Sequence, residues 1–243
     1  MEKKILEIKN FSKTYAGNKR AVDHLSLDVC AGDIYGFIGQ NGAGKTTTLR
    51  AAMGILQFEE GDILIDGHSV LKEPVLCKSI SAYIPDNPDL YDFLTGVQYL
   101  NYISDVFRVG QEQRTERIVK YADMFRIRDE LGKLISSYSH GMKQKLAIIG
   151  ALVHTPRLLI LDEPFVGLDP EAAFKLKNVF KEMCENGSAI FFSTHVLDVA
   201  EKLCNQIAII KQGKLVACGP TEQVRGDESL ETVFMEVLES NDK

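Results

Sequence analysis

A chain of 243 residues, 45% hydrophobic and 26% charged, holds enough apolar material for one large core or two closely joined ones. Its formal net charge of −6 argues against the broad basic footprint of a nucleic-acid binder, so direct nucleic-acid binding is not expected. No apolar run reaches the roughly eighteen residues of a membrane span, and Met1 to Ile8 lacks the long apolar segment of a secretory leader.

In chain order, Ile5 to Phe11 alternates as a strand, Tyr15 to Lys19 reads as a turn, and Val22 to Val29 alternates more clearly. Ile34 to Ile38 is almost continuously apolar, as suits the buried centre of a sheet. It runs into Gly39-Gln40-Asn41-Gly42-Ala43-Gly44-Lys45-Thr46, which fits the phosphate-loop pattern in full, and Thr47 to Met53 can continue as a helix. The glycines let successive amides curl inward toward phosphate oxygens, and the helix opening at Lys45 adds its unpaired amides and positive end. Lys45 offers an ammonium to the β- and γ-phosphates, and Thr46 offers a hydroxyl to Mg²⁺. A nucleoside triphosphate is the expected ligand.

Gly61 to Gly67 and Ile80 to Ile84 read as short strands, the second ended by Pro85. From about Thr95 to Ala151 the pattern turns helical, at Val97–Phe107, Glu112–Phe125 and Gly141–Leu152. Strands resume at Leu158–Leu161, Ala189–Phe192 and Ile207–Ile210, with helices at Pro170–Glu185 and Val196–Leu203 between them. That alternation implies a mainly parallel sheet with right-handed crossovers. Lys211 to Lys214 turns into a last strand, Leu215–Cys218, and Glu228–Leu238 reads as a short amphipathic helix. The expected organisation is a core from 1–94 and 152–225, a helical subdomain from 95–151, and a helical tail from 226–243. The five cysteines, Cys30, Cys77, Cys184, Cys204 and Cys218, lack metal-ligand spacing, and their odd number favours reduced thiols.

Leu158 to Pro164 is the second strong signal: an apolar strand that delivers two carboxylates at its C-terminal end, where parallel α/β folds place ligand chemistry. Asp162 can orient a Mg²⁺ shell, and Glu163 can take a proton from an attacking water.

With these residues in order, the chain resembles the nucleotide-binding subunits of ATP-binding-cassette transporters from about Leu6 to Gly219. The resemblance implies an α/β fold, a P-loop NTPase cassette with a mainly parallel central sheet, an N-terminal antiparallel β portion and a helical subdomain. It implies that Tyr15 stacks on adenine, the alternative reading of the residues being a solvent-facing turn tyrosine. It gives Gly39 to Thr46, with Thr47, the phosphates of ATP, and Glu163 and His195 the catalytic base and γ-phosphate sensing. Tyr138-Ser139-His140-Gly141-Met142 sits at the signature position, so Ser139 and Gly141 would meet ATP held by a second subunit; Ser139 also suits a helix N-cap. Asp169, in Gly167-Leu168-Asp169-Pro170, would cross that seam.

Two positions depart from the pattern. Asp86 stands where the family usually has glutamine; it can still face Mg²⁺ or the attacking water, or merely form a turn. His140 and Met142 replace the usual small residue and glutamine of the signature. The implied function is Mg²⁺-dependent ATP hydrolysis in a head-to-tail cassette dimer. It would power export through a separate multi-span permease, with the subunit peripheral on the cytoplasmic side of the cell membrane. Around Asp86, Leu90, Tyr91, Phe93 and Leu94 are candidate permease contacts or core residues. The competing expectation is a soluble cassette ATPase in protein or metal-cluster assembly.

Overall fold

The computed structural model describes residues 3–17 and 19–239. It opens on two 12-residue strands, β1 (Lys4–Tyr15) and β2 (Lys19–Cys30), paired antiparallel. Tyr15 and Lys19, read from sequence as turn residues, are the last opposed pair of this ladder, and Asn18 of that turn lies outside the described residues. Cross-strand pairing holds the polar ends of both strands in register where apolar alternation has stopped.

Then come β3 (Ile34–Ile38), α1 (Lys45–Ala52), β4 (Glu60–Ile65), β5 (His68–Ser69), α2 (Pro74–Ser79) and β6 (Ser81–Ile84). Neither β5 nor α2 is legible as a period, because two residues cannot alternate and six residues starting on proline make under two turns. Three helices follow, α3 (Gly96–Val106), α4 (Gln111–Met124) and α5 (His140–Val153), with 3₁₀ turns at Arg128–Glu130 and Ile135–Ser137. Thr95 and Gln98 form a reciprocal capping box on α3, and Ser139 caps α5 by accepting from the Met142 amide at 3.3 Å. The chain closes with β7 (Leu158–Asp162), α6 (Pro170–Glu185), β8 (Ala189–Thr194), α7 (Leu197–Leu203), β9 (Gln206–Lys211), β10 (Lys214–Pro220), α8 (Thr221–Arg225) and α9 (Leu230–Glu239).

Two sheets result. One is antiparallel in the order β2-β1-β4-β5; the other runs β10-β9-β3-β8-β7-β6, parallel throughout except where β10 pairs antiparallel with β9. This is the mixed α/β cassette fold expected from the sequence.

The near-continuous apolar strands are explained by what covers the two faces of the six-stranded sheet. Ile34, Ile38, Leu159, Leu161, Ile190 and Phe192 face one core, which includes buried residues of α4, α5 and α6. Their chain neighbours Tyr35, Phe37, Leu158, Ile160, Ala189 and Phe191 face a second core shared with β1, β2, β4 and α1. A strand covered on both faces has no position left for a polar alternation.

His154, which ends α5, stacks on Phe107 with ring centroids 3.6 Å apart, and its Nε2–H donates to the Ser81 carbonyl at 3.2 Å. Burial pushes its pKa down from 6.5 to about 4, against that hydrogen bond. The unfolded chain therefore takes up a proton that the fold refuses between those values, so stability falls as pH drops through the window. A loss on the order of 2 kcal/mol is expected between about pH 7 and about pH 5, and His154→Phe should remove it. Urea unfolding of both proteins at the two pH values checks this.

Candidate functional site

Strands β3, β8 and β7 lie side by side, so three loops at their carboxyl ends converge: Gly39–Lys45, the turn after Thr194, and Asp162–Asp169. Gly44 precedes α1 with φ at +111°, and a Cβ there would sit 2.6 Å from the Ala21 carbonyl oxygen. The loop can therefore curl against β2 only with glycine at that point.

Lys45 is 7% exposed, and its Nζ donates to the Gly39 carbonyl at 2.6 Å and the Gln40 carbonyl at 3.3 Å. The Glu163 Oε1 lies 4.0 Å away. Burial lowers the Lys45 pKa, opposed by the charges of Glu163 and Asp162. The ammonium is thus partly desolvated at the mouth of a loop of amides, where a phosphate oxygen would compensate it strongly.

Thr46 Oγ1 donates to Asp162 Oδ2 at 2.6 Å, while the Ser193 hydroxyl of β8 donates to Asp162 Oδ1. Glu163, one residue on, adopts a left-handed backbone with φ at +49°, which turns its side chain away from the strand. Its Oε1 meets His195 Nδ1 at 2.8 Å, and Oε2 accepts from the His195 amide at 3.4 Å. The two carboxylates therefore stand in different company, Asp162 among hydroxyls and Glu163 between a lysine and a histidine. Thr46 and Asp162 supply the hard oxygen donors suited to a divalent cation that carries its remaining ligands as phosphate and water. Among the described residues no group of three or more His, Cys, Asp or Glu forms a self-sufficient metal cage.

A cavity of about 440 Å³ opens onto these groups and is lined by Tyr15, Lys45, Thr46, Asp86, Asp162 and Glu163, along with Gln40, Asn41, Gly42, Gly44 and Thr47. Tyr15 is 42% exposed, with its hydroxyl 3.3 Å from Thr47 Oγ1. Gly39 is occupied with Lys45, and Ala43 is buried and faces a smaller recess behind the loop with Ile210 and Leu238. Ser139, Gly141 and Asp169 do not line the cavity. Ser139 serves as the α5 cap, and Asp169 caps α6 through the Ala172 amide at 2.9 Å.

Lys19 and Ala21 also line the cavity and were not singled out from the sequence. Lys19 stands opposite Tyr15 in the β1–β2 ladder, and only the full length of that ladder reveals that the two share a face. Ser193, the second partner of Asp162, was missed because a strand serine carries no motif.

Comparison with known proteins identifies the family to which this fold belongs. A family model described as ABC transporter matches residues 22–166. The ABC transporter ATP-binding protein YhcH of Bacillus subtilis is 35% identical over 97% of this chain and 76% of its own length. The bacitracin transport ATP-binding protein BcrA of Bacillus licheniformis is 34% identical over 91% of this chain and 71% of its own. A solved ATP-binding subunit of an ABC transporter superposes with a TM-score of 0.93 at 31% identity, over 96% of this chain and 99% of that one. The chain belongs to the ABC transporter family, as an ATP-binding subunit that hydrolyses ATP.

Proposed function

We propose that this subunit hydrolyses Mg²⁺-ATP in a head-to-tail pair of cassettes and powers export through a separate membrane permease. The observation that carries the chemistry is the convergence of Lys45, Thr46, Asp162 and Glu163 on one cavity, with His195, outside its lining, held against Glu163 at 2.8 Å. Lys45 and the loop amides bind the β- and γ-phosphates, and Thr46 with Asp162 would hold a magnesium ion, which would neutralise phosphate charge there. Glu163 takes the proton of the attacking water, and His195 holds the Glu163 carboxylate and senses the γ-phosphate. Asp86 faces the same phosphates as an additional carboxylate. Ser139 and Gly141, at the positive end of α5, meet the γ-phosphate held by the partner cassette, and Asp169 lies at that seam.

Tyr15 provides the adenine platform. Tyr15→Ala should raise the KM for ATP roughly tenfold and leave kcat within about twofold, as loss of one base–aromatic stack predicts. A steady-state ATPase titration reads both constants.

For the permease, support comes from a second cavity of about 400 Å³ whose lining includes Met53, Ile55, Leu90, Tyr99, Ile103 and Phe107. Tyr91 and Phe93 stand exposed nearby, in ring contact with each other. An apolar trough with an aromatic rim suits an amphipathic segment of a membrane partner. The relative from Bacillus licheniformis is itself a bacitracin transport protein. Among the described residues no helix is long and apolar enough to cross a membrane. Isolation from native membranes checks the proposal: a multi-span protein co-purifying in fixed ratio supports it, and a soluble assembly complex in its place overturns it.

A further inference from the structure

His140 breaks the usual signature, and its position in the fold gives it a task. Its ring lies directly against Gly167, in the loop after Glu163: a Cβ added to Gly167 would come within 2.6 Å of His140 Cδ2. The next residue approaches the same loop as closely, since a Cβ added to Gly141 would meet the Gly167 carbonyl oxygen at 2.6 Å. One turn further along α5, Lys145 Nζ donates to Asp169 Oδ2 at 2.6 Å, while Asp169 Oδ1 accepts from Ala172. Both oxygens of Asp169 are therefore engaged within its own chain, and Lys145 first, then the Ala172 amide, holds its carboxyl below the usual aspartate range.

The loop so gripped is short and internally bonded. The Val166 amide donates to the Glu163 carbonyl at 3.1 Å, and the Leu168 amide to the Phe165 carbonyl at 3.4 Å. Only three residues separate Gly167 from Glu163, whose backbone sits in the left-handed region.

We propose that His140 and Lys145 are positioning residues that latch the Phe165–Asp169 loop to the start of α5, so that the signature segment and the Glu163 carboxylate move as one body within a single chain. The small signature residue usual in the family would leave Gly167 without this lateral contact. Steric contact and ion pair act on the same few residues from two sides, so the grip is local. The kinetic part of this proposal rests on Glu163 being the base; the structural part does not.

The test is made on the full chain, as His140→Ala, Lys145→Ala, the double variant and Lys145→Arg. Each alanine variant should lower kcat about fivefold to twentyfold with the KM for ATP unchanged within about twofold, because misplacement of a base affects the transition state alone. The double variant should fall no more than about twofold below the worse single one, since a latch opened once is open. Lys145→Arg should hold kcat within about twofold of the original, the guanidinium keeping the ion pair. Hydrogen exchange at the Val166 and Leu168 amides should quicken about tenfold or more in both alanine variants, with the unfolding midpoint little changed.

Losses that multiply in the double variant, unaltered exchange, or a raised KM with kcat intact would each overturn the latch. The last would assign His140 to nucleotide held by the partner cassette instead. Exchange needs no turnover, so it decides the latch even if the role of Glu163 is refuted.

Discussion

Glu163→Gln is expected to lower kcat by about 10²- to 10³-fold while ATP affinity stays within about threefold, the range that removal of a positioned general base produces. The substitution keeps the shape of the side chain. The glutamine can still accept from the His195 amide and sit beside His195 Nδ1, where the carboxylate now stands at 3.4 Å and 2.8 Å. What it loses is the capacity to take a proton. Lys45, 4.0 Å from Glu163 Oε1, also loses one of the two negative charges that offset its burial, so the charge of a γ-phosphate becomes more welcome there. Binding should therefore persist or tighten as turnover falls. With hydrolysis blocked, Mg²⁺-ATP should hold two subunits together, and light scattering during size-exclusion chromatography reads the mass. Near-normal turnover with no rise in mass would remove Glu163 from the role of base.

The prediction depends on two adjacent carboxylates having different jobs, and the physical reason for that is partly visible in the sequence and partly not. The motif pair Asp162 and Glu163 at the end of an apolar strand is plain from Leu158 to Pro164. The left-handed turn at Glu163, which separates the two environments, is not, because no local residue pattern demands it. The same division runs through the fold. The strands of the six-stranded sheet are legible because burial on both faces leaves an unbroken apolar run, and α6 is legible over Pro170–Glu185 because it has a capping aspartate, a proline and one apolar face.

Long-range geometry is what sequence reading lacks. The ladder that extends β1 to Tyr15 and β2 back to Lys19 is cross-strand pairing among residues without apolar alternation. It is this extension that sets Lys19 beside Tyr15 at the mouth of the cavity. The contacts of Lys145 with Asp169 and of Ser193 with Asp162 likewise join residues far apart in the chain. Sequence identifies the acids of the site by motif. Their partners become evident only when β3, β8 and β7 are seen side by side.

Lys45→Ala should behave in the opposite way to Glu163→Gln, losing binding and turnover together. Its Nζ bridges the loop carbonyls of Gly39 and Gln40 to the Glu163 side of the cavity. Removing it leaves Glu163 and Asp162 facing the phosphates with less opposing charge, so repulsion adds to the lost hydrogen bonds. ATP affinity is expected to fall about 30-fold or more, and kcat/KM by about 10³-fold, in the range seen when a single charge-stabilising group is removed. Lys45→Arg should not restore either constant. Lys45 is only 7% exposed, and a planar guanidinium in its place cannot set one donor between two loop carbonyls without displacing them. Thermal unfolding with and without Mg²⁺-ATP separates the two variants in one measurement. At an ATP concentration about 100 times the dissociation constant, Glu163→Gln should gain roughly 2.7 kcal/mol of stability from the nucleotide. Lys45→Ala should gain less than about 1 kcal/mol under the same conditions, because its weakened binding no longer saturates the fold. A Lys45→Ala protein that is stabilised as strongly as Glu163→Gln, and still hydrolyses ATP, would take the phosphates away from the Gly39–Thr46 loop altogether.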